Sequence, residues 1–155
     1  MPQLAGSRAP DIARPWQYGS IVAFPVVDGL RAVEFGTPGE MRQRLVNLVV
    51  NGNKRATAGL LSEYAAAGEP VECVGEQLAV IDDEGSHVAT VSVTKVVLSR
   101  FADVPDEFAI AEAEGDLNAA DFRASHSTYW SRQGIHVTDD TLVVWLYFDL
   151  LTRQA

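Results

Sequence analysis

The chain has 155 residues, 47% of them hydrophobic, enough for one domain that hides roughly 70% of its unfolded surface in a core. Cys73 is the only cysteine, which excludes an internal disulfide and a multi-cysteine metal site, and no run approaches the roughly 18 apolar residues of a membrane span. The formal net charge of −9, from 12 Lys+Arg against 21 Asp+Glu, is poorly suited to a tight, sequence-independent grip on a phosphate backbone; it suits a neutral small ligand in a reducing, cytoplasmic setting.

Residues 1–19 hold Pro2, Pro10 and Pro15 without an apolar period and are expected to form a flexible arm, leaving 20–155 as a single domain. Ile21 to Val27 and Leu30 to Phe35 read as strands joined at Asp28-Gly29, a hairpin of unassigned role. Thr37-Pro38-Gly39-Glu40 has the form of a capping box with Pro at the first helical position. The helix it opens carries Met41, Leu45, Leu48 and Val49 on one face. Gly52 or Asn51 is placed to end that helix in a left-handed conformation, and Ala56 to Leu61 is apolar enough to enter a sheet. Lys54 and Thr57 therefore stand at a helix-to-strand junction, where side chains often face a cleft.

Ser62 to Ala67 predicts a short helical turn. Gln77 to Asp82 and Ser86 to Leu98 predict a hairpin with one wet face, turning at Asp83-Glu84-Gly85. A helix follows, with Asp103 as N-cap and Pro105 in its first turn, running to about Ala113 and broken by Gly115. The next helix, from Leu117 or Asn118 to Trp130, carries two adjacent stripes: Arg123, His126 and Trp130, and Phe122, Ser125 and Tyr129. Leu142 to Leu150 is hydrophobic on both faces and must be a central strand. Strands scattered among single helices favour an α+β fold, a small mixed β-barrel with flanking helices, over a doubly wound sheet.

Three separated pieces occur in order: Gly52-x-Lys54-x-x-Thr57; Val74-Gly75-Glu76 before an apolar run; and Ala111-Glu112-Ala113-Glu114-Gly115-Asp116 followed by Phe122-Arg123-x-x-His126-x-x-Tyr129-Trp130. Together, from about Phe35 to Asp149, they resemble the ASCH family, small domains related to the PUA fold. Two positions depart from the family pattern: Arg55 stands where Thr is frequent, and Phe122 where Trp is. Some small bacterial members are amidohydrolases that remove the acetyl group from N4-acetylcytidine. The resemblance implies that Lys54, Thr57 and Glu114 would carry such chemistry, with Glu112 close enough to compete for the role of Glu114. Other ASCH domains are expected to bind RNA, and ribonuclease activity has been proposed for some relatives.

The residue types suffice for amide cleavage in two ways. A neutral Lys54 could act as base with a protonated Glu114 as acid, or a charged Lys54 could stabilise an oxyanion while Glu114 activates Thr57 or a water. Arg55, Glu112, Arg123, His126, Tyr129 and Trp130 are the candidates for contacting a modified nucleoside, Tyr129 or Trp130 by stacking on its ring. The bland alternative for Phe122, Tyr129 and Trp130 is a place in the core. No cofactor is implied, and His87, His126 and His136 are too scattered to suggest a metal pair. Single-stranded RNA is the alternative partner, held through Arg42, Arg44, Lys54, Arg55 and Arg123, either by a binding module without catalysis or by a metal-independent ribonuclease.

Overall fold

Asp28 and Gly29 both take left-handed backbone, with φ of 52° and 79°, so the chain reverses in two residues with the twist that flanking strands need. This turn joins β1 (Val26–Val27) to β2 (Leu30–Val33) in the expected hairpin, shorter than the apolar runs suggested. The computed structural model describes residues 24–153; the expected arm and the first residues of the hairpin run lie outside them.

Helix α1 (Glu40–Val50) begins later than a capping box at Thr37 would place it. Gly39 is the N-cap at φ 104°, and its N–H donates to Asp83 Oδ2 at 3.0 Å. That tertiary bond keeps Pro38 and Gly39 outside the helix. Leu45, Val46 and Val49 are buried, and so is Arg42, which donates to the carbonyls of Phe35 and Gly36 at 3.2 and 3.0 Å. Its guanidinium also lies 3.6 Å from both Glu34 and Asp83, so this arginine staples the loop after β2 rather than presenting a cation to solvent.

The remaining elements are β3 (Ala56–Leu60), α2 (Leu61–Ala67), β4 (Gln77–Ile81), β5 (His87–Arg100), α3 (Asp106–Glu112), α4 (Ala119–Arg132) and β6 (Leu142–Arg153). A 3-10 turn at Phe101–Asp103 leads into α3. There Asp103 pairs with Arg100 instead of capping, and Pro105 is the N-cap. The strands form one mixed sheet in the order β1-β2-β4-β5-β6-β3, with β2 and β4 parallel and the other pairs antiparallel. No ladder joins β1 to β3 among the described residues. The expected barrel is therefore corrected to an open sheet, because β3 pairs only with β6 and leaves its other edge free.

Both faces of the sheet are covered. Phe35, Leu45, Val49, Val91, Leu146 and Phe148 pack on the α1 side. Ala56, Leu60, Phe101, Phe108, Phe122, Trp130 and Trp145 pack against α3 and α4. The run Val143-Val144-Trp145-Leu146 is buried throughout, as a central strand between two cores requires. No helix among the described residues is long and apolar enough to cross a membrane.

Gly36 sits where the loop after β2 meets α1, at φ +63°, and a Cβ there would stand 2.9 Å from Met41 Cγ and 3.1 Å from Leu45 Cδ1. Gly36→Ala thus combines left-handed strain with overpacking, and a loss of about 1–3 kcal/mol is expected in urea denaturation.

Candidate active site

The end of α1 places Lys54. Gly52 takes φ +83°, and the N–H groups of Asn53 and Lys54 both donate to Leu48 C=O, at 2.9 and 3.0 Å. The chain thus folds back under the helix and enters β3 with the Lys54 side chain fully buried. Its Nζ meets three acceptors: Ala56 C=O at 2.7 Å, Glu114 Oε2 at 2.5 Å and Glu112 C=O at 3.4 Å. The Phe35 ring centroid lies 5.6 Å away. The three N–H donors of an ammonium can serve all three acceptors.

The two glutamates come from the end of α3. The helix stops at Glu112, and Ala113 takes the left-handed conformation at φ 58°, two residues before the expected break at Gly115. That reversal brings Glu112 and Glu114 to the same ammonium; Glu112 Oε2 stands 3.7 Å from Nζ. Arg55 N–H donates to Ala111 C=O at 2.9 Å, which ties this corner to the start of β3.

Glu112 is 1% exposed. Burial pushes its carboxyl up to about 8, against the pull of Lys54 and with the help of Glu114 and Asp116. Its Oε1 has no hydrogen bond among the described residues, and His126 Nε2 lies 3.3 Å away. His126 stacks on Phe122 with ring centroids 3.9 Å apart and sets Nδ1 at 3.1 Å from Phe122 C=O. Burial lowers the imidazole pKa, although Glu114 opposes this. A neutral ring that donates through Nδ1 offers a lone pair at Nε2, toward which a protonated Glu112 can direct its O–H.

Thr57, Glu112, Glu114, His126, Tyr129 and Trp130 all line one cleft of about 380 Å³, whose far wall includes Phe35, Glu63 and Tyr64. The cleft wraps the free edge of β3. The Thr57 hydroxyl is half-buried and makes no hydrogen bond among the described residues. Glu114 is partly exposed to the cleft, whereas Lys54 lies behind it. Trp130 is 3% exposed and packs edge-on against Phe101, so it serves the core even as it borders the cleft; Phe122 is wholly core.

Arg55 and Arg123 fall outside the cleft lining. Arg55 is exposed and pairs with Asp149 at 2.9 Å, and Arg123 donates to Ala102 C=O at 3.4 Å. The cations expected to hold RNA therefore do not form one basic face, since Arg42 and Lys54 are buried among carboxylates and Arg55 is already paired. Sequence reasoning missed Asp116, which accepts from Ser125 Oγ at 2.9 Å, and Glu63 on the far wall. It also missed a possible metal-ligand set. One ligand atom each from Glu112, Glu114 and His126 lie within 4.8 Å of one another and could hold an ion, a grouping that histidine spacing alone does not reveal. The Lys54 ammonium already supplies positive charge among the same carboxylates.

A family model described as the ASCH domain matches residues 31–152. Among solved structures, an ASCH domain from Lactobacillus crispatus is similar at 28% identity and a TM-score of 0.67, covering 77% of this chain and 77% of that one. A protein from Enterococcus faecalis is similar at 27% identity and a TM-score of 0.67, over 76% of this chain and 74% of its own. Comparison with curated proteins gives no match.

Two outcomes follow from the buried charges. Lys54→Met leaves the carboxylates without a counterion, and a loss of about 3–5 kcal/mol in chemical denaturation is expected. For Glu112 the folded pKa lies above the unfolded one, so the folded state holds the extra proton and stability falls as pH rises toward about 8. His126, with a lowered pKa, acts in the opposite sense below its ordinary value. Between roughly pH 6.5 and 8 Glu112 contributes a slope of up to about 1.4 kcal/mol per pH unit, and Glu63, whose carboxyl burial also raises, acts in the same sense. Urea midpoints across this window should decline in wild type and decline less steeply in Glu112→Gln.

Proposed function

This chain belongs to the ASCH domain family, and from that membership and the site geometry we propose that it is an amidohydrolase acting on N4-acetylcytidine or a closely related N4-acylated pyrimidine nucleoside. One observation carries the reading: a free threonine hydroxyl and a carboxylate locked at 2.5 Å on a buried ammonium open onto the same cleft. Thr57 is the nucleophile. Glu114 takes the proton from its hydroxyl as Oγ1 attacks the acyl carbon, then passes that proton to N4 as the C–N bond breaks and cytidine leaves. Glu114 next deprotonates a water, which attacks the acyl-threonine ester and releases acetate and the free hydroxyl.

Lys54 acts through Glu114. Its three N–H donors are engaged and it is shielded from the cleft, so it is a positioning residue that holds the carboxylate in its orientation. The cleft lining supports an uncharged substrate: among the described residues six that bear carboxyls face it, against two arginines, Arg44 and Arg132. A polyanion such as RNA meets repulsion there.

Incubation of the purified protein with N4-acetylcytidine, followed by chromatography, should show cytidine release. Thr57→Ala and Glu114→Gln should each lower kcat/KM by about 100-fold or more, and an acetylated Thr57 should be seen by mass spectrometry on rapid quenching. Absence of cytidine release by the wild-type protein overturns the reading.

A further inference from the structure

The register of β3 on β6 determines which backbone groups of β3 are free. Phe148 N–H donates to Arg55 C=O at 3.0 Å, and Thr57 lies opposite Leu146 and Gly59 opposite Val144. In an antiparallel ladder the bonded residues alternate, so Thr57 and Gly59 bond to β6 while Ala56, Ala58 and Leu60 turn outward. Two of these outward positions are engaged. Ala56 C=O accepts from Lys54 Nζ at 2.7 Å, and Leu60 N–H donates to Glu63 Oε1 at 3.0 Å. Between them, Ala58 has neither outward group bonded among the described residues, and it lines the cleft.

An exposed strand edge is a template for pairing with another backbone. This one is a single residue long, closed by Lys54 and Glu114 at one end and Glu63 at the other, too short for an added peptide strand. A small planar ligand with one acceptor beside one donor fits it. Gly59 carries no side chain on the neighbouring face, where a Cβ would stand 3.5 Å from Glu63 Oε1 and 3.9 Å from Tyr64 Cε1.

We infer that the N–H and C=O of Ala58 hold the base edge of the substrate, the N–H donating to ring N3 and the C=O accepting from N4–H of an N4-acylated cytosine. This deepens the amidohydrolase reading and rests on it for the identity of the ligand. The pairing sets N4, and the acyl carbon bonded to it, beside Thr57. It also selects cytosine by a donor–acceptor pattern that no side chain in the sequence would reveal.

Calorimetric titration of the full chain with three nucleosides tests the slot without catalysis. Cytidine carries both groups, 3-deazacytidine lacks the acceptor, and the riboside of pyrimidin-2-one lacks the donor; neither analogue adds bulk. Each analogue should bind wild type about tenfold more weakly than cytidine. Ala58→Pro removes an N–H that the ladder does not use, as edge positions permit. In that variant the preference for cytidine over 3-deazacytidine should vanish. Equal binding of all three by wild type, no binding of cytidine, or a folded Ala58→Pro that keeps the preference overturns the proposal. If Ala58→Pro does not fold, the wild-type series decides alone. Discrimination without hydrolysis of N4-acetylcytidine would sink the enzyme and leave the slot standing; hydrolysis without discrimination would do the reverse.

Discussion

A buried ammonium organises this protein. Lys54 cannot be left unpaired in the interior, so the start of β3 must bring it one acceptor and the end of α3 two. Two pieces of chain that are far apart in order are thereby brought to one point. The same demand explains the sharp features nearby: the left-handed Gly52 that returns the chain under α1, and the left-handed Ala113 that turns two glutamates toward one cation. A misplaced acceptor here would cost more than most single core contacts.

Burial separates the two carboxyls by role. Glu112 lies beneath, without solvent, and holds its proton near neutrality beside a neutral His126. Glu114, one turn residue away, reaches the cleft with its charge balanced by Lys54. Two glutamates separated by one residue thus meet different surroundings, one 1% exposed with His126 Nε2 3.3 Å away and the other partly exposed. The open edge of β3 runs through the same cleft, so the chemistry and the backbone groups that can orient a ligand share one strand.

Much of the fold could be read from local patterns. The hairpin turn at Asp28-Gly29, the start of α4 near Asn118 and the two-sided burial of β6 depend on near neighbours or on an unbroken apolar run, and these agree with the structure. The start of α1 was misread because the bond from Gly39 to Asp83 spans 44 residues and overrides a local capping signal. Closure of the sheet was misread for a related reason. Strand count and spacing do not say whether the outer strands meet; only the pairing of strands in the fold does.

The sequence by itself determined the elements, the two apolar faces of the last strand, and a short list of groups able to do chemistry, since these follow from residue type and periodicity along the chain. Only the tertiary structure decided which of those groups cooperate. Arg55 and Lys54 are adjacent in the chain, yet one pairs with Asp149 at the surface and the other is sealed behind Glu114, because a side chain's neighbours across the fold, and not its neighbours in order, set its burial and its charge.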